Sequence, residues 1–340
     1  MRVLGVSAFD MDASVALVVD GEVAAAAAEE RFTRQAHDPN LPRFAAEWAL
    51  AHAGLRASQL DAVAFADDPG ATFSRVLLAS LHEGFPFGAS SFAGALKPWL
   101  ASRRWIRDGL SRLLDVHPDL VRCVPRARAL AANAAIAAQG AAGSAGAPAV
   151  AVLVVDSAGA WPCTTLGRAS FDDGRLVVEE LESFAYPHSL GLLLTSFAVH
   201  AGFRARDEEA DFLALAPFGD PLLAERVRRM LRAQPDGTYC LDPWYFRFSR
   251  LDARADAVPW TPAFVDLCGP PRDSRRSWPF EPAGRGGPVA PEDKRFADLA
   301  ASLRLVLDAA LAGLARRARL LAGADLLALG GGVFADPARV

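Results

Sequence analysis

Residues 3–28, VLGVSAFDMDASVALVVDGEVAAAAA, form an apolar strand, an acid-bearing turn, a second apolar strand, Asp20-Gly21 and a third strand. Residues 149–181, AVAVLVVDSAGAWPCTTLGRASFDDGRLVVEEL, repeat that order. The strand over Ala149–Val155 leads to the turn Asp156-Ser157-Ala158-Gly159 and a strand through Thr164–Ala169. Asp172-Asp173-Gly174 and a third strand follow. An Asp-Gly pair between apolar runs marks a hairpin, because both turn residues tolerate positive φ. Each copy therefore reads as a three-stranded antiparallel meander with an acid at its first turn. A repeat spaced by about half the chain points to two similar lobes.

This arrangement resembles the actin-like (ribonuclease-H-like) α/β fold, in which two lobes surround a cleft and the first turns hold the phosphates and metal of a nucleotide. Two unrelated hairpins are the plain alternative. The 340 residues suffice for two domains. A hydrophobic fraction of 52% against 22% charged gives ample core. The net charge of -4 gives no electrostatic case for nucleic acid as a partner. Cys123, Cys163, Cys240 and Cys268 form no CxxC pair, and the six histidines show no HxxxH spacing. The chain opens directly on a strand, and no apolar run reaches the length of a membrane span. A cytoplasmic protein is expected.

Between the meanders, Pro42 opens a helix to Ala53 that places Phe44, Trp48 and Ala51 on one face, with Gly54 ending it. Leu60–Phe65 reads as a strand, Lys97–Leu114 as one basic amphipathic helix, and Ala127–Ala142 as an alanine-rich helix. Gly143–Pro148 is the expected boundary, giving a first lobe over 1–145 and a second over 146–340. In the second lobe Ser189 is the expected N-cap of a helix over Leu190–Ala201, and His188 beside it is a candidate anion contact. Residues 234–294 read as an irregular insertion or flap, Phe296–Ala322 as a long helix, and Leu326–Leu329 as a strand before Gly330-Gly331-Gly332. Asp336-Pro337 reads as a helix start, so the expectation is that the chain stops short of the lobe's end.

Taken in order, Gly5-Val6-Ser7-Ala8-Phe9 with Asp12, Glu29-Glu30-Arg31-Phe32-Thr33-Arg34 and His37 resemble the opening of the bacterial O-carbamoyltransferase family of antibiotic and nodulation-factor biosynthesis. Val154-Val155-Asp156 with Gly159, Pro187-His188-Ser189-Leu190-Gly191-Leu192-Leu193 and Leu215-Ala216-Pro217-Phe218-Gly219 are similar to later blocks. Gly269-Pro270-Pro271-Arg272, Ala300-Ala301-Ser302-Leu303 and Gly331-Gly332-Val333 continue the series. The resemblance implies an N-terminal actin-like domain that transfers a carbamoyl group from carbamoyl-adenylate to a hydroxyl of a secondary metabolite. A separate synthase domain, for which no counterpart is read here, makes that adenylate from carbamoyl phosphate and ATP. It implies Ser7, Arg31, His188, Gly331 and Gly332 as contacts of carbamoyl-adenylate or ATP, and Asp156 as a metal ligand.

The departures bear on chemistry. The histidine that the family places before the first-turn Asp is Met11, which cannot accept a proton. Asp10 and Asp12 are the candidate substitute bases, although a carboxylate ordinarily titrates at about pH 4. The family's pair of helical histidines falls on Arg126-Ala127-Arg128-Ala129-Leu130-Ala131-Ala132-Asn133, leaving Asp156 as the remaining ligand, so a bound metal is not expected. A family lysine is Asp211, and a family asparagine is Asp336. The expectation is a carbamoyltransferase-family protein with impaired or partner-dependent transfer, working with a full-length carbamoyltransferase or a separate synthase chain. A non-catalytic partner or scaffold is the first alternative, and another actin-like ATPase or sugar kinase the second.

Overall fold

The computed structural model of the chain describes residues 1–9, 12–83, 87–101, 103–142, 149–157, 159–172, 175–205, 207–253, 257–276, 278 and 293–334. Asp10, Met11, Asp336, the second Asp-Gly pair and the 143–148 boundary lie outside them. The chain divides into two compact units, Met1–Ala129 and Leu130–Val340. The helix Arg126–Ala142 thus contributes most of its length to the second unit, upstream of the division expected at 145.

In the first unit β1 (Arg2–Ser7), β2 (Ser14–Val19), β3 (Glu22–Ala28), β4 (Ala62–Phe65) and β5 (Val121–Cys123) form one sheet in the order β3-β2-β1-β4-β5. β1 runs antiparallel to β2 and parallel to β4. Asp20 and Gly21 have φ of 53° and 93°, as a two-residue hairpin of primed type requires. Alternation along β1 and β2 sends Leu4, Val6, Val15 and Leu17 into the core.

The helices of this unit are α1 (Glu30–Thr33), α2 (Arg43–His52), α3 (Pro69–Glu83), α4 (Phe87–Ala101) and α5 (Ile106–Leu114). The face of α2 that packs on the sheet is Ala45, Ala46, Ala49 and Leu50. Phe44 and Trp48, expected to share one face with Ala51, are 49% and 39% exposed. The four small or aliphatic residues let the helix approach closely, and the bulky aromatics take the outer side, where Trp48 stacks on His52 at 5.1 Å. The single basic helix expected over Lys97–Leu114 is broken: α4 ends at Ala101, a tight turn covers Arg103–Trp105, and α5 begins at Ile106. The break lets Ile106, Leu110 and Leu114 reach the core.

The second unit repeats the pattern. α6 (Arg126–Ala142) precedes β6 (Val150–Val155), β7 (Pro162–Asp172) and β8 (Arg175–Ala185), and with β11 (Leu326–Gly330) these strands are ordered β11-β6-β7-β8. Again the first strand is antiparallel to the second and parallel to a later one. Every residue of β6 is buried because the strand has a layer on each face. Val150, Val152 and Val154 pack with Ala131, Ala134 and Ala135 of α6. Leu153 and Val155 pack with α7 (Leu190–His200) and α12 (Lys294–Ala322). Recurrence of a meander joined in parallel to a later strand, in both units, is the actin-like α/β fold.

Between α7 and α12 lie α8 (Glu209–Leu213), α9 (Ala224–Met230), the short pair β9 (Leu231–Ala233) and β10 (Tyr239–Leu241), α10 (Ser249–Ala253) and α11 (Pro262–Cys268). The described part of the expected irregular insertion is therefore ordered structure. Its Tyr239, Phe246, Phe248, Trp260 and Phe264 are buried in the main core of the unit. Aromatic side chains spaced through polar sequence carry no 3.6- or 2-residue period, so their inward packing is not visible as a pattern. Among the described residues no helix is long and apolar enough to cross a membrane.

Candidate functional site

In the second unit three segments meet at the C-terminal ends of the parallel strands β6 and β11. The first is the turn after β6, with Asp156 and Ser157. Asp156 is 8% exposed. The second is the start of α7, where Ser189 caps the helix as expected: its hydroxyl accepts from the Leu192 amide at 3.0 Å. The same hydroxyl is within donating distance of the Asp156 carbonyl at 3.3 Å and contacts the Ser157 carbonyl. One fully buried serine thus ties the turn to the helix. The third segment is the glycine loop after β11.

Two glycines are required by these approaches. A Cβ on Gly191 would lie 2.6 Å from the Ser157 Cα, so any larger residue would push the turn off the helix. Gly331 has φ of +101°, and its Cβ would lie 2.1 Å from the Val155 carbonyl oxygen. At Gly332 a Cβ would meet Asp156 Oδ1 at 3.6 Å, which places the loop beside the carboxylate. A tight turn, a helix N-terminus and a glycine loop combine close backbone access with amides that favour an anion. Asp156, Gly331 and Gly332, read from sequence as metal and nucleotide residues, are therefore brought together.

His188 precedes this cap but faces another duty. Its Nδ1 accepts from the Leu241 amide at 3.1 Å, and its carbonyl accepts from the Tyr239 hydroxyl at 2.7 Å, so it fastens β10 to the start of α7. Among the described residues no group of three metal-ligating side chains includes Asp156. α6 carries Arg126, Arg128 and Asn133 where a pair of histidines would be needed. Among the described residues this donor set does not fit the metal that the family resemblance implies, since one carboxylate supplies too few ligands. On α8, burial pushes the Asp211 carboxyl up, helped by Glu208 and Asp207.

In the first unit the residues after β1 gather a second group. Ser7 ends β1 opposite Ser14 of β2. Asp12 Oδ1 lies 3.0 Å from His37 Nδ1, with side chains 49% and 41% exposed respectively. Glu30 Oε2 accepts from the His37 amide at 3.1 Å. Arg31, one residue further along α1, is exposed. Glu29, adjacent in the motif, is instead buried and structural: its two oxygens accept from the Phe44 and Ala45 amides at 3.0 and 2.8 Å, capping α2. In the sequence His37 stands only as a motif position. Its contact with Asp12 spans 25 residues, and no local spacing encodes it.

Against known families, the model described as carbamoyltransferase N-terminus matches residues 2–336. An uncharacterised protein of Synechocystis is 30% identical over 342 residues, covering 98% of this chain and 50% of that protein. The nodulation protein NolNO of Sinorhizobium fredii is 27% identical over 216 residues, covering 63% of this chain and 28% of that protein. The chain thus spans half the length of the first relative and a smaller part of the second. Among solved structures, a Ppx/GppA family member of Aquifex aeolicus aligns over 97% of this chain and 94% of its own at 12% identity, with a TM-score of 0.30. YeaZ of Pseudomonas aeruginosa aligns over 55% and 70% at 21% identity, with a TM-score of 0.27.

Proposed function

The chain belongs to the carbamoyltransferase N-terminus family, and from that premise we propose that its second unit binds the adenylate of carbamoyl-adenylate while transfer to an alcohol is weak or depends on a partner chain. The observation that carries the reading is the cradle of Asp156, Ser189, Gly191 and Gly331, present beside a helix without ligating histidines. In the transfer, a hydroxyl oxygen of the acceptor attacks the carbamoyl carbon. The bond from that carbon to the adenylate oxygen breaks, AMP leaves, and the hydroxyl proton must pass to a base. The glycine loop and the α7 N-terminus suit the leaving phosphate. Met11 cannot take the proton, and Asp12 is the described acid at that turn.

The acceptor class, a hydroxyl of a secondary metabolite, comes to this chain by analogy with its family. The alternative, a non-catalytic partner of a full-length carbamoyltransferase, is favoured by the lost ligand set at Asp156. AMP binding in the presence of Mg²⁺, measured by calorimetry, tests the cradle. Saturable binding is expected for the chain. It should be lost in Gly331→Val, and in Gly332→Asp, which adds a negative charge where there is room for it. AMP binding unchanged in both glycine variants would place the nucleotide elsewhere and end this reading.

A further inference from the structure

The trio Asp12, Glu30 and His37 is used by neither the adenylate cradle nor the cap of α2. We propose that it is a divalent metal site of the zinc class, built on the first unit alone. One donor atom from each residue lies within 4.8 Å of the others. The three come from separate segments: the turn after β1, the first turn of α1 and the loop after α1.

Those segments are held together by bonds that do not involve the donor atoms. The Phe9 amide donates to the Pro39 carbonyl at 2.7 Å, and the Ala13 amide to the Asp38 carbonyl at 2.8 Å. The Asp38 carboxylate, itself buried, accepts from the amide and side chain of Asn40 at 3.0 and 2.7 Å and shapes the loop. His37 is held at φ of 55° within it. The loop is thereby strapped to the first turn, so the imidazole and the Asp12 carboxylate meet without having to be ordered by a ligand.

Two carboxylates that converge on one point repel, and a cation removes that repulsion. The third donor decides which cation. Carboxylates alone suit magnesium or calcium, whereas an imidazole nitrogen moves the preference to zinc and its first-row neighbours. Binding exchanges the Nδ1 hydrogen for the metal. A neutral ring then carries its proton on Nε2, and the Asp12 oxygen turns from hydrogen-bond acceptor to ligand. Three protein ligands leave a fourth position for water. In this state Asp12 is a ligand and no longer a base. The inference does not depend on the nucleotide reading, and it concerns a different unit from Asp156.

The test is zinc titration of the tag-free 340-residue chain by calorimetry, with magnesium and calcium as controls. One equivalent of zinc is expected to bind, with no comparable response to the controls. Loss of an outer-shell partner alone typically costs about 10–100-fold in affinity, so Asp12→Ala, Glu30→Ala and His37→Asn should each weaken zinc by about tenfold or more. Asparagine is chosen at 37 because it tolerates the left-handed backbone there. Asp12→Asn, which keeps a polar partner for His37, serves if Asp12→Ala fails to fold. Asp156→Ala should bind zinc like the parent chain. Absence of saturable zinc binding, or affinity unchanged across the trio variants, would overturn the proposal. Zinc binding that Asp156→Ala abolishes would overturn it as well.

Discussion

His200, the last residue of α7, is fully buried against Trp260, Phe264 and Phe296, with ring centroids 5.2, 5.1 and 6.1 Å away. Among the described residues neither ring nitrogen has a hydrogen-bond partner. Burial, with the Arg295 charge adding to it, lowers its pKa to about 4. The folded protein therefore holds the neutral ring, while the unfolded chain takes up a proton near pH 6.5. Stability that is full above pH 6.5 is lost as pH falls toward 4. A shift of this size corresponds to about 3 kcal/mol. Urea unfolding at pH 7 and pH 4.5 should show His200→Leu gaining on the parent chain at the lower pH. An equal pH response in both would contradict the assignment. Asp211 has the opposite sense: burial and its acidic neighbours raise its pKa, so its ionised form works against the fold as pH rises. Asp211→Lys, facing Asp207 and Glu208, is expected to raise stability at pH 7 by about 0.2–1 kcal/mol, measured by the same unfolding curves. Neither His200 nor Asp211 declares its surroundings in the sequence. A histidine ending an apolar helix can face either way, and only the aromatic residues supplied 60 and more positions later bury it.

At the scale of elements, two helix starts show what local sequence can and cannot encode. Ser189 before Leu190 is readable as a cap, because a cap and its amide are three residues apart. Removing it in Ser189→Ala should cost about 1 kcal/mol from the helix alone. The cap of α2 is Glu29, 15 and 16 residues before the amides it accepts. Its buried carboxylate makes two charge-assisted bonds, so Glu29→Ala is expected to cost about 2 kcal/mol, read as a lowered unfolding midpoint. A loss well under that of Ser189→Ala would show that solvent replaces the cap. The meanders were legible because strand alternation and Asp-Gly turns are local signals. The inward face of α2 was not, since aromatics and alanines alternate around it and the sheet accepts the smaller set. The break before α5 was hidden for a related reason: the apolar positions on its two sides share a helical period although the backbone turns between them.

For the whole molecule, the repeat announced itself because the same meander occurs twice, and each copy carries its acid at the same turn. The structure adds the parallel strand in each unit, β4 beside β1 and β11 beside β6, which no short window of sequence can pair. The cradle at Asp156 was legible as separate motifs, since Gly191 and Gly331 are each needed by a backbone approach within the unit. The trio at Asp12 was not, because its donors come from three segments. The chain is a member of the carbamoyltransferase N-terminus family, and our proposal is that it accommodates an adenylate while transferring its carbamoyl group weakly or only with a partner. General-base assistance alone is worth about 10²–10⁴-fold. With Met11 at the base position and Asp156 without a ligand set, the chain supplied with synthetic carbamoyl-adenylate and a panel of aminoglycoside and macrolide alcohols should give at most a trace of carbamoylated product. Met11→His alone should not restore it. Turnover by the parent chain near that of an intact family member would contradict the account.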